Sequence, residues 1–102
     1  MEIVWTRLAN ITYKEVFENL ERRWTKKEMK HFKDLTNELL DKIKKEQIIH
    51  PFANEKLGIR KGMVHKNVSL FYKQERANKK IYLITFFNNR MNPETLKRLL
   101  KV

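Results

Sequence analysis

Cysteine is absent from the 102 residues, which excludes a disulfide framework and any thiolate metal site. Histidine occurs only at His31, His50 and His65, without the close spacing of a zinc site, so neither a metal nor a cofactor is expected. No apolar run approaches the roughly 18 residues that span a bilayer, and the opening MEIVWTRLAN has no signal-like apolar stretch. These gaps predict a cytoplasmic protein with no membrane partner. Linkers and repeats are also missing, and the length suits one core, so residues 1–102 read as a single domain.

Negative charge is scarce in one half only. Residues 56–102 hold 12 basic and 2 acidic side chains, whereas residues 1–55 hold 11 and 10. A field carried by one half attracts polyanions, meaning nucleic acid, an acidic protein segment or an anionic surface.

What is present falls into two parts. EIVW reads as a strand, and two helix starts follow it. ITYKEV offers Thr12 as N-cap with Glu15 as its capping-box acid, and WTKKEM offers Thr25 with Glu28. Apolar positions recur at helical spacing as Tyr13, Val16, Phe17, Leu20 and Trp24, then as Met29, Phe32, Leu35, Leu39, Leu40 and Ile43. Lys27, Lys30 and Lys33 read as solvated surface, and His50 is expected at a helix end. HPFANEK reads as a polar connection.

From Leu57 the period shortens. GIRKGMVHK, VSLFYKQE and KKIYLITFF are rich in β-branched and aromatic residues, with RANKK as a hairpin loop. They predict an antiparallel three-strand meander. Val68, Leu70 and Tyr72 should face the helices, with Ser69, Phe71 and Lys73 on a more polar face. The last strand is apolar on both faces and should be central. NPETLKRLLKV predicts a short closing helix with Pro93 in its first turn. The expected class is α+β: an N-terminal strand, two helices, a three-strand antiparallel meander and a short C-terminal helix in two layers.

IVWTRLA, RRWTKKEMKHF, GIRKGMVHKNVSLFYK and IYLITFFNNRMNP, at their mutual spacing, resemble the RelE/ParE superfamily. These are the toxins of bacterial type II toxin–antitoxin pairs, which act in growth inhibition and plasmid stabilisation. The resemblance implies a RelE-like two-layer fold and a cognate acidic antitoxin in a hetero-oligomer. It implies either binding of DNA gyrase in the ParE manner or metal-free cleavage of messenger RNA on the ribosome, as an mRNA interferase. A nucleic-acid-binding module without toxicity is a third reading, and enzymatic action is left open.

Metal-free RNA cleavage needs a base, a proton donor and cations at the phosphate. Arg90, at the exit of the last strand, offers a phosphate-matching guanidinium and corresponds to a functional arginine of the RNA-cleaving relatives. His65 offers an imidazole, its pKa expected to be lowered by Arg60, Lys61 and Lys66. Arg60, Lys61, Lys66 and Lys73 are the candidate target-binding cations. Ser69 stands where those relatives carry an arginine, and Leu96 where they carry a tyrosine, so the resemblance favours the gyrase-type binding mode. Trp5, Trp24, Phe86 and Phe87 read as core. The tail from Glu94 either caps the core or is displaced when a partner binds.

Overall fold

The first strand pairs with the last. In the computed structural model, which describes residues 1–90 and 93–100, β1 (Glu2–Trp5) lies parallel to β5 (Lys80–Asn88), with Glu2 opposite Lys80 and Trp5 opposite Leu83. Between them in sequence come α1 (Arg7–Glu21), α2 (Lys26–Lys44), β2 (Phe52–Asn54), β3 (Ile59–His65) and β4 (Val68–Glu75). A 3-10 turn (Arg76–Asn78) joins β4 to β5, and α3 (Pro93–Leu99) follows. The sheet order is β1-β5-β4-β3-β2, antiparallel except at β1. Met91, Asn92, Lys101 and Val102, which belong to the NRMNP motif and the tail, lie outside the described residues. Among the described residues no helix is long and apolar enough to cross a membrane.

The α+β class and the three-strand antiparallel run are as expected, but the sheet has five strands. Phe52–Asn54, read as connection, is a short edge strand held by Arg60 and Ile59 of β3. Three largely exposed residues carry no alternation to reveal it.

The start of α1 also differs. Thr6, not Thr12, takes the N-cap place: its hydroxyl accepts from the Ala9 N–H at 3.1 Å and donates to the Leu83 carbonyl at 2.6 Å. Thr12 lies inside the helix and is buried. Its hydroxyl donates to Leu8 O at 2.8 Å and accepts from the Phe86 N–H at 3.0 Å. β1 ends opposite Leu83, so Thr12 satisfies a strand donor beyond the reach of β1. The second capping box forms as expected, with Glu28 N–H donating to Thr25 Oγ1 at 3.2 Å and Glu28 Oε1 accepting from Thr25 N–H.

α1 covers β5 and α2 covers β3 on one face of the sheet. Phe32, Ile43, Leu70, Tyr72, Ile81 and Leu83 are buried between the layers, with Trp5, Tyr13, Phe17 and Trp24 packed around them. Truncating Phe32 to alanine is worth about 3–5 kcal/mol of stability.

The other face of β4 is not polar. Val68 through Tyr72 are all buried, because Leu96 and Leu100 pack with Leu57 and Ile84 on a second cluster of Ile59, Phe71 and Phe87. The tail therefore forms a partial third layer.

Two β-bulges set the faces. In β5 the pairing runs from Phe71–Thr85 to Tyr72–Leu83, leaving Ile84 extra. Leu83 and Phe86 thus share the helix side, and Ile84 and Phe87 share the other. In β3 the pairing steps from Met63–Ser69 to His65–Val68, leaving Val64 extra. That step turns His65 toward the helices, where its ring meets Trp24 and Phe32.

A candidate anion-binding cleft

His65, Lys66 and Arg90 come together. They line a cleft of about 330 Å³ with Arg23, Trp24, Glu28, Asn67 and Asn88. Three connections build it: the α1–α2 turn carries Arg23 and Trp24, the β3–β4 turn carries Lys66 and Asn67, and the exit of β5 carries Asn88 and Arg90.

The exit is held by backbone contacts. Asn89 N–H donates to Asn67 O at 2.7 Å, tying the two turns. The Arg90 N–H donates to Asn88 Oδ1 at 3.0 Å, an Asx turn that points the chain out of the sheet. Ser69, buried below, donates its hydroxyl to Asn89 Oδ1 at 2.9 Å. The Arg90 guanidinium thus stands just beyond the buried part of β5, where it stays hydrated.

His65 packs edge-on against Trp24 with ring centres 4.9 Å apart, and its Nδ1 accepts from the Asn67 N–H at 3.4 Å. A neutral ring in this arrangement carries its proton on Nε2. Burial lowers its pKa, with smaller contributions from Lys66 and His31, opposed by Glu28. The expected direction holds, but Arg60 and Lys61 are not among the causes. Among the described residues Arg23, Lys66 and Arg90 make no ion pair, and Glu28 turns its Oε1 to the Thr25 cap at 3.4–3.5 Å. The cleft is therefore rich in uncommitted donors, with the Glu28 carboxylate as its one acidic group.

The remaining candidates lie elsewhere. Arg60 turns inward, donating to His50 O at 2.6 Å and covering the Phe52 ring at 3.9 Å. Lys61 lies 6.0 Å from the Phe71 ring on the second face. Lys73 is exposed on β4, near the turn at Gly58. Leu96 belongs to the apolar cluster beneath α3 and does not line the cleft.

His50 is not at a helix end, since α2 stops at Lys44. Its Nδ1 meets the buried Tyr72 hydroxyl at 2.6 Å, and burial, then Arg60, lowers its pKa.

Arg23 and the two asparagine amides were not anticipated. The Arg22–Arg23 pair just before the Thr25 capping box was the available signal for the first. The amides had none, because their role depends on two turns meeting. Among the described residues no group of three His, Asp or Glu side chains could hold a metal ion. No protein-family model and no curated protein matches the chain.

Proposed function

We propose that this chain is the toxin of a type II toxin–antitoxin pair of the RelE/ParE kind, built on a RelE-like frame, and that it arrests growth by gripping RNA in the Arg23–Lys66–Arg90 cleft. The observation that carries this reading is the convergence of three unpaired cations and the His65 Nε2–H on one polar surface. Guanidinium and ammonium groups offer several donors to one phosphate, and RNA presents phosphates in series. The motif set and the two helices over one face of the sheet support the same family reading.

The cleft is better suited to holding a phosphate than to deprotonating a 2′-hydroxyl. With His65 Nδ1 accepting from Asn67, the nitrogen left for a ligand is a donor. Cutting requires that contact to be released. A second reading, a gyrase-type protein target, is favoured by Ser69, whose buried hydroxyl is committed to Asn89, and by Leu96, which has no donor, where RNA-cleaving relatives have arginine and tyrosine.

The antitoxin segment suits a different surface from the basic half. A groove of about 560 Å³ between α1 and α2 has Tyr13, Phe17 and Met29 in its wall and Lys14, Lys26, Lys30 and Lys33 at its rim. An acidic amphipathic helix matches both its apolar floor and its charge.

Inducing the protein in growing cells and following labelled amino acid and thymidine separates the readings. Translation should fall first, with RNA cross-linked to the chain, and Arg23→Ala with Arg90→Ala should restore growth. A block in thymidine incorporation while translation continues overturns the RNA reading in favour of the second.

A further inference from the structure

The cleft holds more than cations. Trp24 is only partly buried, its ring set by His65 at 4.9 Å and Phe32 at 5.5 Å while it also lines the cleft wall. Asn67 and Asn88 stand on the same wall. The backbone of Asn67 is engaged on both sides, by His65 Nδ1 and by the Asn89 N–H, yet its side-chain amide has no partner among the described residues. Asn88 spends its Oδ1 on the Arg90 N–H and keeps its amide donors. A phosphate needs none of these groups. An aromatic ring in one cleft with side-chain amides that offer directional hydrogen bonds is what an unpaired nucleobase requires.

We propose that the cleft is a one-nucleotide reading site. The base of an unpaired RNA nucleotide packs on Trp24 with its edge against the amides of Asn67 and Asn88, while its phosphate lies among Arg23, Lys66 and Arg90. This rests on the RNA reading of the same cleft and adds a preference for base identity. Asn88 ends β5 with its amide oriented by the Oδ1 bond to the Arg90 N–H, and Asn67 sits in the β3–β4 turn on a backbone tied to Asn89, so both amides stand at set places along the cleft. Duplex RNA is excluded, because its bases are stacked and their edges paired.

Trp5 and Trp24 are the two tryptophans, so the full chain carrying Trp5→Phe reports on Trp24 alone. Titrating it with single-stranded oligo-A, oligo-C and oligo-U should quench Trp24 emission with affinities that differ among the three. Asn67→Ala should bring those affinities within about threefold of one another and leave the salt dependence unchanged. Arg90→Ala should weaken all three alike and lower the salt slope by about one. Trp24→Leu should weaken binding about tenfold, with Trp24→Phe restoring most of it; if Trp24→Leu does not fold, the quenching titration decides. Binding with a normal salt slope but unchanged Trp24 emission overturns the reading site and leaves the RNA reading standing. So does a base preference that survives Asn67→Ala, or equal affinity for all three oligomers. No binding to any oligomer at low salt overturns both.

Discussion

His50 with Arg60 and His65 with Arg90 are the same pair of side-chain types, and the fold uses them in opposite ways. At the first pair each side chain has an internal partner: imidazole on tyrosine hydroxyl, guanidinium on backbone carbonyl and aromatic ring. At the second, the whole guanidinium remains uncommitted. Burial depresses both imidazole pKa values, so a shifted histidine does not by itself mark a site. What separates the two is whether the guanidinium has an internal partner.

The comparison can be broken hardest at Gly62. A Cβ there would stand 2.9 Å from His50 Nε2, and the ring cannot swing away without leaving Tyr72. Gly62→Ala should cost about 1–3 kcal/mol, read from denaturant midpoints, as overpacking does elsewhere. Unchanged midpoints would mean the ring is free. Next comes Tyr72→Phe, which removes the partner of His50 Nδ1 and should cost about 1 kcal/mol, with target binding intact. Arg90→Ala is the converse: the melting temperature should stay where it is while growth arrest is lost, and a fall in melting temperature would show that Arg90 belongs to the structural class after all.

The smallest effect is in pH. Both imidazoles titrate below 6.5 in the fold, so as pH falls the unfolded chain takes up protons first. Stability should be complete above about 6.5 and decline as pH drops below it toward the folded values. His50→Gln should make that decline shallower, in midpoints measured across the range. A decline on raising the pH instead would contradict the sign.

Which parts of this were legible in the sequence follows from how local their causes are. The Thr25–Glu28 box and the β3–β4–β5 run are written in adjacent residues and came through. Thr12 followed by Glu15 has the same letters, but the strand donor at Phe86 claims that hydroxyl from across the chain. The buried state of Ser69 and Phe71 depends on α3 returning to the sheet, and the facing of His65 on the extra residue at Val64. Alternation alone could express neither. Arg60 and Arg90 looked equivalent as charges because the partners that distinguish them lie in the α2–β2 connection and the β5 exit. The α+β class followed from the change of period at Leu57, which separates a helical half from a strand-rich one.

The parallel pairing of β1 with β5 has a bearing on how the molecule comes into being. Glu2–Trp5 pairs with Lys80–Leu83, so β1 must wait for a strand that is made after both helices and β2, β3 and β4. During synthesis the α1–α2 hairpin emerges with its apolar side uncovered, and the sheet that covers it cannot close until β5 has left the ribosome. Such distant contacts slow folding. The cleft is assembled from three connections, one of them at the exit of β5, so the growing chain carries no complete site until β5 and its exit have been translated.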